Sequence, residues 1–139
     1  MVPETPEAHK EIVEIKKEVR DIKQTQDAEI HQNRPKWEGL LFNTLGDNTE
    51  MMRVLLSVDG AKSAKDIEKE AGIYQMKCWR LLDKLERNGI VFKLEETKKG
   101  SPVYLTSRWY RLLRLYEDVQ RKLASLSQEE KLAEGQQRR

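Results

Sequence analysis

Cysteine and histidine are nearly absent: the 139 residues hold one cysteine, Cys78, and two histidines, His9 and His31. A single thiol excludes an intramolecular disulfide framework and a cysteine-rich metal centre, and it fits a reducing compartment. The two histidines have no nucleophile and no metal-ligand spacing around them, and the seven glycines form no phosphate-cradling loop. The sequence therefore predicts no enzyme, no cofactor and no metal. No run approaches the roughly 18 apolar residues of a membrane span, and the first thirty residues lack a signal-peptide core. The expectation is a cytoplasmic protein with no membrane partner and no evident small-molecule ligand.

Net charge is also scarce, at +2, although 36% of residues are charged. The balance is uneven along the chain. Residues 1–35 carry 6 Lys/Arg against 8 Asp/Glu, and residues 36–72 carry 5 against 7. Residues 73–127 carry 12 against 6, a local excess of +6. A basic module in acidic surroundings is the pattern of a polyanion-binding surface.

From about Pro6 to Ile30 there is no internal glycine or proline, and Ala8, Ile12, Ile15, Val19 and Ile22 recur at alternating spacings of 4 and 3. That is a heptad seam, with Glu11 and Glu18 at g and Lys16 and Lys23 at the following e positions. The seam fits self-association through Ile12, Ile15, Val19 and Ile22, with dimer, trimer and antiparallel pairing open. Docking onto the chain's own domain is the alternative. Pro35 interrupts the pattern, and Trp37, Leu40, Leu41 and Leu45 form one apolar face of a short helix, expected to cover the core or a neighbouring subunit.

The next segments are punctuated clearly. Asp47-Asn48-Thr49-Glu50 resembles a capping box ahead of Met51, Val54, Leu55 and Val58. Asp59-Gly60 ends that helix. Ser63, with Asp66 three residues later, caps another, and Gly72 supplies a sharp turn. A third helix spans about Tyr74–Asn88. Its buried stripe is Cys78, Leu81, Leu82 and Leu85, with Cys78 as a small hydrophobe. The opposite face holds Met76, Lys77, Arg80, Asp83, Lys84 and Arg87, with Trp79 on the border. Ile90–Leu94 and Val103–Leu105 favour β structure and bracket a tip, about residues 95–102, that carries Glu95 and Glu96 and projects Lys98 and Lys99. A helix placed after a sharp turn and followed by such a hairpin suits docking on a duplex. Tyr74, Gln75, Met76, Lys77 and Arg80 are candidates for reading base edges, Arg80 through its planar fork. Lys84, Arg87, Lys98 and Lys99 are candidates for phosphate contacts.

Ala71-Gly72-Ile73, the helix through Arg80, Leu82 and Leu85, and Glu86-Arg87-Asn88-Gly89-Ile90-Val91 together resemble the winged helix-turn-helix domain of prokaryotic transcription regulators. The resemblance covers Thr49–Leu105, about 40% of the chain. It implies DNA contacts by Tyr74, Gln75, Met76, Lys77, Arg80 and Lys84 on the recognition helix, and by Lys98 and Lys99 on the wing. Large apolar residues at Met76 and Trp79 depart from the small polar residues common at those positions.

From Arg108 to about Leu126, Trp109, Leu112, Tyr116, Val119, Leu123 and Leu126 form a second heptad seam. Its first turns are expected to close the core. Leu112, Tyr116, Val119, Leu123 and Leu126 join the candidates for dimerisation. The organisation expected is a coiled-coil-like helix (1–32), a linker with a short helix (33–47), the winged domain (48–107), a C-terminal helix (108–127) and a frayed or disordered tail (128–139). The fold class is mostly α with a small β-hairpin wing, α+β. The function read from these features is a sequence-specific, homodimeric transcription regulator that binds double-stranded DNA. A DNA-organising or partition protein and a winged-helix protein-interaction module are the alternatives.

Overall fold

The computed structural model describes the backbone of residues 6–137 and the side chains of residues 10, 12–130 and 132. Ala8, His9 and Glu11, named in the sequence reading, have side chains outside the described residues. The chain divides into two units, Met1–Arg34 and Pro35–Arg139.

The first unit is helix α1, Pro6–Gln32. Its seam residues Ile12, Ile15, Val19 and Ile22 are exposed by 41%, 58%, 47% and 57%. A stripe of branched aliphatic side chains about half in water forgoes roughly half of the 1.5–3 kcal/mol per residue that full burial supplies.

Helix α2 is Arg34–Leu45, and the second unit begins at its Pro35. Proline near a helix start removes only an N–H that has no helical partner anyway. The apolar face of α2 covers the core: Leu41 and Leu45 are buried, and Trp37 stacks on Trp109 with ring centroids 5.0 Å apart.

Helix α3, Thr49–Ser57, starts where the Asn48 side chain accepts from the Met51 N–H at 3.0 Å. Strand β1 is only Lys62–Ser63, and Ser63 then caps α4, Ala64–Ala71, by accepting from the Asp66 N–H. Helix α5 is Gln75–Arg87. Strands β2, Val91–Lys98, and β3, Ser101–Thr106, pair antiparallel, and β3 also pairs with β1, giving the order β1-β3-β2. Met52, Leu55, Ile67, Cys78, Leu82 and Leu85 are fully buried where α3, α4 and α5 meet.

Two expectations about the C-terminal part are corrected. The single helix from Arg108 is two helices, α6, Arg108–Leu112, and α7, Leu115–Gln137, separated at Arg114 with φ 53°. In an unbroken helix Leu113 and Leu115 would point about 200° apart. The left-handed step at Arg114 lets both be buried, at 2% and 0% exposure. Helix α7 continues through residues 128–137. Val119, assigned to a dimer seam, is fully buried in its own unit and is not available to a partner. Leu112, Tyr116, Leu123 and Leu126 are half-buried.

Candidate nucleic-acid interface

The turn between α4 and α5 rests on Gly72, whose φ of 68° and ψ of 36° lie in the left-handed region that side chains with a Cβ disfavour. The Gly72 and Ile73 N–H groups both donate to the Glu68 carbonyl, at 2.9 and 3.3 Å. This closes α4 and swings the chain to Tyr74, the extended N-cap residue of α5. Helix α5 then buries Cys78, Leu81, Leu82 and Leu85, so its opposite side is held outward. Burial pushes the Cys78 thiol up to about 11, with the Glu68 carboxylate adding to the effect. Cys78 is thereby a packing residue and not a nucleophile at neutral pH.

The hairpin that follows is longer and tighter than its sequence indicates. The tip was expected to span residues 95–102, yet most of that stretch is strand, and the turn is Lys99-Gly100 alone, with φ of 51° and 77°. Positive φ at both central residues is the signature of a hairpin turn that matches strand twist. The register runs from Val91↔Thr106 to Lys98↔Ser101 and is irregular between Lys93 and Thr97. Extra residues on one strand of a pair increase its local twist.

An outward-facing helix after a glycine turn, followed at once by an antiparallel hairpin closed against β1, decides the architecture. The domain is a winged helix-turn-helix. Its wing is anchored to the helix-turn-helix unit. The Lys65 N–H donates to the Ser101 hydroxyl at 3.3 Å, and Lys98 Nζ lies 3.4 Å from Asp66 Oδ2. The Asp66 carboxyl is held below the usual carboxylate range, first by hydrogen bonding with Ser63 and then by the Lys98 charge.

The sequence-selected residues are not equivalent once placed. Tyr74, Gln75, Met76, Arg80 and Lys84 are exposed on the outer face. Lys77 instead reaches α3, where its Nζ meets Glu50 Oε1 at 2.6 Å. Arg87 pairs along its own helix with Asp83 at 3.0 Å. Gln75, Met76, Trp79, Arg80 and Asp83 together line a shallow depression over the first turns of α5. Lys99 stands exposed at the wing tip, whereas Lys98 is tied back to α4. Sequence reasoning missed Phe92, exposed by 40% on β2, and the exposed α4 lysines Lys65 and Lys69. The amphipathic spacing of α4 around Ile67 and Ala71 would have marked the lysines. Nothing local marks Phe92.

Among the described residues no cluster of acidic, histidine or cysteine side chains could hold a metal ion. A cavity of about 360 Å³ lies away from this face, lined by residues that include Leu55, Val58, Thr106, Tyr110, Arg111 and Tyr116. The Tyr110 hydroxyl is buried without a hydrogen-bond partner, and burial raises its pKa. The sequence carried no sign of this space.

No family model and no curated protein match the chain. Solved structures do. The regulator BpsR of Bordetella bronchiseptica, described with regulation of its DNA binding by 6-hydroxynicotinic acid, is 17% identical, with a TM-score of 0.49 over 71% of this chain and 76% of that one. The transcriptional regulator SlyA is 14% identical, with a TM-score of 0.48 over 79% and 75%. A MarR-family transcriptional regulator from Silicibacter pomeroyi is 21% identical, with a TM-score of 0.46 over 80% and 70%.

Proposed function

We propose that this protein is a non-enzymatic transcription regulator that binds double-stranded DNA as a homodimer, with α5 in the major groove and the wing on the flanking backbone. One observation carries the reading. The Gly72 turn holds Arg80, Lys84 and Arg87 outward on α5, beside a wing tipped by Lys99. Lysine and arginine at the edges of such a face meet phosphates, and those near the helix start reach base edges. Arg80 is the candidate for a bidentate guanine contact. Lys77, engaged with Glu50, is demoted from base reading to holding α5 against α3.

The exposed seam of α1, Ile12, Ile15, Val19 and Ile22, supports pairing of two chains. Two copies reading adjacent faces of one duplex would place their recognition helices about 34 Å apart. Footprinting of the purified protein on its own upstream region, at two salt concentrations, tests the reading. One discrete, symmetric footprint supports a regulator. Continuous protection that grows along the duplex would instead indicate a DNA-organising protein. Absence of binding even at low salt would remove both.

A further inference from the structure

The side chains that project from the first turns of α5 are largely apolar. Met76 and Trp79 are exposed by 62% and 48%, and with Gln75, Arg80 and Asp83 they form the walls of one depression. Neither contributes a full burial to the domain's own core, so its stability does not account for them. The polar groups around them are partly spoken for. Lys77 is held by Glu50, and Asp83 by Arg87. Gln75 and Arg80 remain as the hydrogen-bonding members of the depression.

The charge around this apolar patch selects its occupant. Arg80, Lys84 and Arg87 flank it on the same outer face of α5, and Lys99 stands on the neighbouring wing. A polyanion with an apolar feature at its surface fits that combination. The major groove of DNA presents one such feature on its base edges, the C5-methyl group of thymine. We infer that Met76 and Trp79 read thymine through its methyl group, so that sequence recognition here combines an apolar contact with a guanine contact from Arg80. Met76 and Arg80 are one helical turn apart, about 6 Å along the axis. When α5 lies along the groove, that offset matches about two steps of the 3.4 Å base-pair repeat. The thymines should therefore lie within about two base pairs of the guanine.

The inference rests on the DNA-binding reading, and its test separates the two. The full-length protein is used to select duplexes from a random pool, and the recovered site is remade with uracil in place of each thymine in turn. Uracil keeps every hydrogen-bonding group and lacks only the methyl. Each contacted methyl should be worth about fourfold in affinity. The sensitivity should vanish in Met76→Ala and Trp79→Ala, with circular dichroism confirming the fold. The exposure of Met76 makes its truncation the milder change for the domain. Tight duplex binding that is indifferent to thymine or uracil would overturn the inference and leave the DNA reading standing. Wild-type affinity in both alanine variants would also overturn it. Failure to recover any duplex at low salt would overturn both.

Discussion

The salt dependence of DNA binding tests the assignment of Lys84 most directly. Each phosphate neutralised by a lysine or arginine releases condensed counterions, which lowers log K by about 0.9 per decade of salt. Lys84 is exposed on the last turns of α5 and has no carboxylate partner among the ion pairs found in the described residues. In a homodimer, Lys84→Ala removes two phosphate contacts, and the slope of log K against log salt should become shallower by about 1.8. A monomer on DNA would lose only about 0.9. Extrapolated from 1 M to 0.1 M salt, the dimer should lose about 60-fold in affinity, since each contact is worth about eightfold over that decade. Met76→Ala is the matching control: it removes an uncharged contact and should displace the line without tilting it. Fluorescence anisotropy with a labelled duplex at five or six salt concentrations measures both. An unchanged slope in Lys84→Ala, or equal tilting by Met76→Ala, would refute the division of labour proposed for α5.

Gly72→Ala forces a Cβ into the left-handed region while meeting no atom within 4 Å, so its effect is conformational alone. It should destabilise the protein by about 1–2 kcal/mol in urea unfolding, with Gly72→Asn, better tolerated there, costing less. Leu82→Ala opens a cavity at a fully buried position and should cost about 3–5 kcal/mol by the same assay. The lowered pKa of Asp66 makes its stabilisation present above the unfolded value near 3.9 and lost as pH falls through the folded value. Asp66→Asn should accordingly flatten the stability profile as pH falls below the unfolded carboxylate value. The raised pKa of Cys78 has the opposite sense. Its stabilisation is complete below the unfolded thiol pKa near 8.5 and is lost as pH rises toward the folded value of about 11. At pH 8 a disulfide reagent should modify native Cys78 far more slowly than the unfolded chain, and equal rates would contradict its burial.

The elements legible in the sequence are those bounded by local chemistry. Asn48 and Ser63 cap α3 and α4, and Gly72 adopts the left-handed turn. The apolar stripe of α5 is buried along its length. What escaped depends on distant residues. Strand β1 has two residues, too few for any period, and exists because β3 pairs with it. The outer wing is charged on successive residues, which blurs alternation, so its strands are visible only through their pairing. The break at Arg114 has no glycine or proline to announce it. It follows from the need to bury both Leu113 and Leu115. Val119 fits a heptad in the sequence but belongs to the core, because spacing alone does not distinguish a neighbouring helix of the same chain from one of another. In the candidate interface, the exposed positions were readable from the helical period. The capture of Lys77 by Glu50 and of Lys98 by Asp66 was not, since the partners are 27 and 32 residues away.

The ties between wing and helix also bear on how binding would be timed. With Lys98 beside Asp66 and Ser101 bonded to the Lys65 amide, the hairpin is oriented before any duplex arrives. Part of the rotational and torsional freedom that a loose wing would surrender at the encounter is already lost when the chain folds. If the chain binds DNA as proposed, association should thus be limited more by diffusion and charge steering than by a search among wing positions.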